Sequence, residues 1–136
     1  MTSIDIARVD ERHASWERPA WRYRVYVQGG ASVGGTEAPG GTTATYDVTG
    51  ADVLQVLDWA QRRAGASATY SIALVVDEPH DGRGLVWLVG MDGNDWTDEP
   101  HDRLVQERML ARRTDPVVVP EADRMPVEVR VRPWAG

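Results

Sequence analysis

The stretch that decides the fold is TGADVLQVLDWAQRRAG, residues Thr49–Gly65. Its apolar residues recur at intervals of three and four, which predicts one buried face of an α-helix. These residues are Val53, Val56, Leu57 and Ala60. The hydroxyl of Thr49 can cap the amide of Asp52, and Asp52 can return the bond, as in a capping box. Gly65 is placed to end the helix, so a helix is predicted from Thr49 to Ala64.

Alternating segments flank this helix on both sides. Ala20–Gln28 alternates apolar and polar residues, which predicts a half-buried strand, and Thr42–Val48 is predicted to be its hairpin partner across the glycine-rich connection Gly29–Gly41. Ala68–Val76 alternates in the same way. Leu85–Val89 is apolar on both faces, which favours a central strand.

The C-terminal third contains one further helix and one further strand by the same criteria. Pro100 suits the first turn of a helix that reaches about Arg113. Its inward residues are predicted to be Leu104, Val105 and Met109. Val127–Val131 alternates with charged residues as a last strand, and the flanking Pro126 and Pro133 favour an edge position.

The order of these elements predicts an α+β fold. We expect a mostly antiparallel sheet of four to five strands with two helices on one face. From residue 42 onward the order is that of a ferredoxin-like, split β-α-β fold, with an extra N-terminal strand. Residues 1–18 are weakly patterned and predicted to be a flexible segment, and residues 19–136 a single domain.

Composition excludes several classes of function. The 136 residues include no cysteine, so disulfides, thiolate metal sites and a cysteine nucleophile are absent. Neither a signal-like apolar run near the N-terminus nor a stretch long enough to span a membrane is found, which predicts a cytoplasmic protein without membrane contact. The lack of lysine and phenylalanine indicates a bacterial chain encoded by a GC-rich genome.

The pentapeptide Asp-Glu-Pro-His-Asp occurs twice, at Asp77–Asp81 and at Asp98–Asp102. Residues 77–102, here called the acidic segment, hold eight carboxylates and one arginine, a formal charge of −7 within a chain of −6. The negative charge is therefore concentrated in one part of the sequence. Such a concentration favours a basic partner, because it speeds association with positively charged surfaces.

The repeat has two interpretations. Histidine and carboxylates are suitable ligands for zinc, manganese or iron, so a metal-dependent enzyme or a metal sensor is one hypothesis. Its ligands would be His80, His101, Asp77, Asp81 and Asp102. Alternatively, the first copy forms a turn and the second caps a helix through Asp98 or Thr97. The strand between the copies separates the two histidines by roughly 20 Å, which favours the second interpretation.

The sequence favours a non-enzymatic protein-interaction module, with no cofactor, over an enzyme. Its binding residues are predicted to be Asp92, Asp95, Trp96, Asp98 and Glu99. Tryptophan is the residue most enriched at binding hot spots, although Trp96 also suits a core position. In its size, coding bias and acidic segment the chain resembles immunity proteins that neutralise secreted toxins, and regulators of similar kind. This is a resemblance of composition, and no motif carries it.

Other chemistries are weakly indicated. The glycine-rich connection has Gly35 where a phosphate-binding loop needs lysine, and no Gly-x-Ser-x-Gly elbow occurs. A basic, aromatic platform for single-stranded nucleic acid would arise if the first and last strands were neighbours. Its residues would be Arg22, Arg24, Arg130, Arg132 and Tyr26. The net charge of −6 makes nucleic acid an unfavoured partner.

Overall fold

The computed structural model describes residues 4–14, 22–29, 32–33, 36–37, 43–78, 80, 82–93 and 97–132. Six strands and two helices lie in these ranges. The strands are β1 (Arg22–Gly29), β2 (Ser32–Val33), β3 (Thr36–Glu37), β4 (Thr43–Thr49), β5 (Ala68–Glu78) and β6 (Gly82–Val89), and the helices are α1 (Val53–Ala64) and α2 (Pro100–Ala111). No described helix is both long and apolar enough to cross a membrane.

The main sheet has four strands in the order β4-β1-β5-β6, and every neighbouring pair is antiparallel. Together with the two helices this is an α+β architecture, as predicted. The hairpin of β1 with β4 is also confirmed, with Val25 opposite Tyr46. β2 and β3 form a separate two-stranded ladder within the glycine-rich connection.

The central feature of the sheet is a split β-α-β unit. β4 and β5 are both antiparallel to β1, so they run parallel to each other with β1 between them. α1 connects these two parallel strands and therefore passes over β1. The ferredoxin-like order as a whole is not confirmed, because the N-terminal strand β1 occupies the inner position and β6 lies on the outer side of β5. The prediction that Leu85–Val89 forms a central strand is wrong for the same reason.

The core lies between α1 and the sheet. Val56 and Ala60 of α1 are fully buried against Val25 and Ile72, which are opposite each other in β1 and β5. Alternation places Tyr23 and Tyr70 on this same face of the sheet, where they are also buried. The small side chain of Ala60 allows the helix backbone to approach the strands closely.

The cap of α1 differs from the predicted one by one turn. Thr49 is the last residue of β4, where it pairs with Arg22, and Gly50 turns the chain with φ of 81°. Asp52 is the N-cap: its side chain accepts a hydrogen bond from the Gln55 amide, and the Gln55 side chain accepts one from the Asp52 amide. The capping box therefore uses Asp52 and Gln55 instead of Thr49 and Asp52. Gly65 ends the helix, as predicted.

α2 begins at Pro100, as predicted, but its N-cap is Glu99, whose side chain accepts a hydrogen bond from the Asp102 amide. Neither Asp98 nor Thr97 has this role. Met109 is buried, whereas Leu104 is 45% exposed and does not face inward as expected. The helix has no continuous apolar face, since its other buried residue is Gln106.

The prediction that both helices lie on one face is not confirmed. Met109 of α2 packs beside Gly90 and Ser71: a methyl group at Gly90 would lie 2.9 Å from the Ser71 Cβ and 3.2 Å from the Met109 Sδ. Ser71 alternates with Ile72, so its side chain is on the face of the sheet opposite to α1. Gly90 also has φ of 77°, so two constraints require glycine at this position.

The last predicted strand is absent. Residues 126–132 form a turn and irregular backbone, and Val127 is 85% exposed. β1 is paired on both sides, with β4 and β5, so this segment is not its neighbour. Near the N-terminus, Asp10 caps a short 3-10 turn, Glu11–His13. The division of the chain into residues 1–18 and 19–136 stays a prediction.

The observed capping box generates a stability prediction. Asp52→Ala removes the acceptor for the Gln55 amide, so the free energy of unfolding should fall by about 1 kcal/mol in urea denaturation. Thr49→Ala is the matched control, because Thr49 is an exposed strand residue, and its effect should stay within about 0.5 kcal/mol. Equal losses for the two variants would contradict the assignment of Asp52 as the N-cap.

Candidate functional site

The first copy of the repeated pentapeptide lies in the turn between β5 and β6. Asp77, near the end of β5, forms an ion pair with Arg83 of β6, with 2.9 Å between Oδ1 and Nε. Both side chains are more than half exposed. His80 is exposed in the turn, and Asp81 lies outside the described residues. This copy is therefore a strand connection in which one carboxylate is held by the neighbouring strand.

The second copy forms the N-terminus of α2. Besides the Glu99 cap, the hydroxyl of Thr97 donates a hydrogen bond to Asp102 Oδ2 at 2.8 Å. His101 is exposed in the first turn, and Asp98 is exposed just before the cap. Carboxylates at this end also interact favourably with the positive end of the helix dipole. The local interpretation of the second copy, as helix-capping chemistry, thus agrees with its contacts.

The predicted binding residues are only partly within the described chain. Asp98 and Glu99 are exposed, and Asp92 is half-buried with an interaction partner of its own. Asp95 and Trp96 lie outside the described residues. The structure thus places Asp98 and Glu99 together at the start of α2, and their role in binding a partner stays a prediction.

Those predicted metal ligands that the structure describes are not grouped into a cluster. Among the described residues, no three histidine or carboxylate side chains are grouped so that they can hold a metal ion. His80 precedes β6 and His101 follows it, and the eight residues of β6 span about 26 Å. Asp77 and Asp102 have partners other than the histidines. The separation of the two histidines by well over ~10 Å in one chain stays a prediction.

The arginine-bearing sheet face differs from the predicted platform. Arg24 pairs with Asp47 through two hydrogen bonds, at 2.7 and 3.1 Å. This contact lowers the pKa of the Asp47 carboxyl, burial opposes the shift, and the charges of Arg22 and Arg83 lower it further. Tyr26 stacks at a tilt on Trp87 with 5.3 Å between ring centroids. Much of the positive charge on this face is therefore compensated.

Arg130 and Arg132 do not belong to this face. They lie in the exposed irregular segment that follows the 3-10 turn Glu121–Asp123, and not in a strand beside β1. The neighbours of β1 are β4 and β5, which contribute Asp47 and small residues such as Ala73 to the face. The condition for a basic and aromatic platform, that the first and last strands be neighbours, is therefore not met.

Sequence reasoning missed a basic cavity on another part of the molecule. A cavity of about 510 Å³ lies between the C-terminal end of α1, the start of β5 and residues 112–124. Its described lining includes one carboxylate, Asp58, and four arginines: Arg62, Arg112, Arg113 and Arg124. The sequence signal that could have indicated it is the pair of arginines near the end of each predicted helix, Arg62–Arg63 and Arg112–Arg113.

The outer wall of this cavity is residues 116–125, here called the strap, which two polar side chains of α1 hold in place. The amide of Gln61 donates to the Val117 carbonyl at 2.9 Å and accepts from the Val117 amide at 2.7 Å. One turn earlier, Asp58 accepts a hydrogen bond from the Met125 amide and forms an ion pair with Arg62. An irregular segment is therefore fixed to the helix at both of its ends.

Two groups on the inner wall are perturbed by burial. Tyr70 donates its hydroxyl hydrogen to Gln61 at 3.1 Å. Burial raises the pKa of this phenol, and the nearby Arg112 guanidinium partly opposes the shift. The Nη1 atom of Arg112 is buried without a hydrogen-bond partner. An unsatisfied guanidinium hydrogen is uncommon in proteins, because the desolvation of a charged donor is then left uncompensated.

Comparison with known proteins adds no assignment. No family model matches the chain, and neither the curated proteins nor the solved structures contain a significantly similar one. Function must therefore be inferred from the geometry of the acidic segment, the sheet edge and the basic cavity.

The metal hypothesis makes a prediction that differs from the capping interpretation. A specific metal site raises the melting temperature with the logarithm of metal concentration above the dissociation constant. Since His80 and His101 belong to separate local structures, we expect no such rise with Zn²⁺ or Mn²⁺. The control is the double variant His80→Ala/His101→Ala. A rise in the parent protein that disappears in this variant would establish a metal site.

The strap contact generates a second prediction. Gln61→Leu leaves the Val117 amide and carbonyl without their partner, so the free energy of unfolding should fall by about 1–3 kcal/mol. Hydrogen exchange at the Val117 amide should accelerate by more than exchange in β1 and β4, which reports only the loss of global stability. Glu107→Leu, at an exposed position of α2, is the control for adding a leucine. Unchanged exchange at Val117 would show that Gln61 does not hold the strap.

Proposed function

We propose that this protein is a non-enzymatic interaction module that receives a basic, extended segment of a partner protein along strand β6. The observation that carries the proposal is the position of β6. It lies at the edge of the main sheet, and it is also the middle of the acidic segment. A free strand edge and a concentration of carboxylates thus occur in the same stretch of chain.

The edge has features that suit strand addition. Within the described sheet β6 pairs with β5 alone, so its outer backbone groups are available for a further strand. Val86 and Leu88 are 51% and 45% exposed, which provides apolar contacts for alternate side chains of an added strand. The register shifts opposite Ile72 and Ala73, near Leu88, and bulges of this kind end regular pairing. We therefore infer that the receptive part is Gly82–Trp87.

The negative charge of the acidic segment favours a positively charged partner. The acidic segment carries −7 formally, and its single base, Arg83, is compensated by Asp77. Two of its carboxylates, Asp98 and Glu99, are exposed near the start of α2. A lysine- or arginine-rich segment would be attracted before contact, which raises the association rate and makes it dependent on salt.

This function is that of a regulator or of an immunity-like protein that occupies a basic surface of its target. It needs no cofactor and no catalytic group. Trp96 remains a candidate anchor for the partner, since tryptophan contributes strongly to binding where it becomes buried. A cytoplasmic location remains part of the proposal.

The experiment that tests the proposal uses a synthetic peptide. Acetyl-Lys-Val-Arg-Val-Lys-Val-amide is titrated into the ¹⁵N-labelled protein, and the amide chemical shifts are followed. We expect the largest changes at Gly82–Trp87 and weaker binding as salt is added. The control peptide has the same sequence with alternate backbone nitrogens methylated, so it keeps the charge but cannot pair with a strand.

A triple variant distinguishes attraction by the acidic segment from attraction by the net charge of the whole protein. Changing Asp92, Asp95 and Asp98 to Asn should slow association several-fold. The matched control changes the same number of exposed carboxylates elsewhere, as Asp5→Asn, Asp115→Asn and Glu128→Gln. Equal binding of the methylated peptide, or equal slowing by both triple variants, would show that attraction is diffuse and that β6 is not the docking edge.

A further inference from the structure

We propose that the basic cavity beneath the strap binds a small molecule with a phosphate group. This site is separate from the acidic segment and from β6, so the inference goes beyond the proposed function. The volume of about 510 Å³ is within the range of pockets that hold small organic ligands. Its lining combines guanidinium groups with an apolar wall, which suits a ligand that has an anionic head and an apolar body.

The net charge of the cavity lining is positive and favours an anion, even when the negative ends of the two helix dipoles are included. Four arginines and one aspartate line it. The C-terminal ends of α1 and α2 both point toward this region, with Gly65 and Arg112 as their C-caps. Each contributes about half a negative elementary charge. Together they offset about one of the three excess positive charges, so a net attraction for anions remains.

The arginines of the cavity differ in the hydrogen bonds that they form within the protein. Arg62 donates to Asp58 and to the Met125 carbonyl, and Arg124 donates to the Val119 carbonyl. Arg112 differs from them, because its buried Nη1 has no hydrogen-bond partner. This donor is closed to solvent as the structure stands, so a phosphate oxygen can satisfy it once the half-buried Arg112 side chain turns toward the cavity. We therefore assign Arg112 as the residue that holds the phosphate.

Phosphate fits this lining better than a single carboxylate does. Guanidinium groups bind phosphate oxygens through paired N–H donors, and a phosphate dianion can engage more than one arginine. The strap contributes the apolar part of the wall. Val118, at the rim, is 87% exposed, so it is available to cover the body of a ligand.

The probes are pyrophosphate and adenosine monophosphate, with citrate as a polycarboxylate and sodium chloride at matched ionic strength as controls. Binding is measured by calorimetry and by melting temperature. We expect both phosphate compounds to bind and to raise the melting temperature, and citrate to bind at least tenfold more weakly. Tighter binding of citrate, or the same stabilisation by chloride, would overturn the proposal.

Three variants locate the site. Arg112→Met should weaken binding of pyrophosphate at least tenfold, whereas Arg103→Met, at an exposed position of α2, should leave it within twofold. Val118→Glu places a carboxylate at the exposed rim without disturbing the core and should also weaken binding at least tenfold. If Val118→Glu binds as the parent protein does, or if Arg103→Met loses as much affinity as Arg112→Met, the cavity is not the phosphate site. Peptide binding at β6 should be unchanged in all three variants.

Discussion

Strand β1 is hydrogen-bonded along both of its sides, to β4 and to β5, and the arrangement of the other elements depends on this double pairing. Because both partners are antiparallel to β1, they are parallel to each other and must be joined by a crossover, which α1 provides. The crossover places α1 above Val25 and Ile72 and so defines the core. It also leaves β6 a single position, on the outer side of β5. The open edge on which the proposed function depends is thus a consequence of where β1 lies.

Polar side chains of α1 hold the strap and the inner wall of the basic cavity in place. The Gln61 amide accepts from two donors and donates once, joining the helix to Tyr70 of β5 and to the strap. Burying such an amide is acceptable because its hydrogen-bonding capacity is nearly filled. Asp58 has the corresponding role toward Met125. Since both anchors are on successive turns of one helix face, the strap is held away from β5, and the space between them is the basic cavity.

Local sequence patterns predicted most of the helices and strands. The pairing between distant segments could not be predicted from these patterns. Alternation located β1 and β5, and Gly65 located the end of α1, because each signal acts within a few residues. The same alternation at Val127–Val131 produced no strand, because a strand also needs a paired neighbour and a face to bury, and these valines stay exposed outside the described sheet. The predicted N-caps were wrong by one to three residues. Thr49 belongs to β4 instead of capping α1, and in α2 the side chain of Glu99, not that of Asp98, accepts a hydrogen bond from a free amide of the first turn. Counting charges located the acidic segment, but the cavity arginines are up to 62 positions apart in the chain and meet only through the strap.

The two proposed sites lie at opposite ends of one strand, which determines how they can influence each other. Ala68, the first residue of β5, lines the basic cavity, and Asp77 lies nine residues further along, at the turn to β6. At about 3.3 Å per residue this distance is about 30 Å, roughly four Debye lengths at physiological ionic strength. A partner that neutralises the first copy of the pentapeptide therefore changes the potential in the cavity very little. Any coupling between the sites must pass mechanically through β5, whose inner residues Ile72 and Ala73 are fully buried and leave little space for rearrangement.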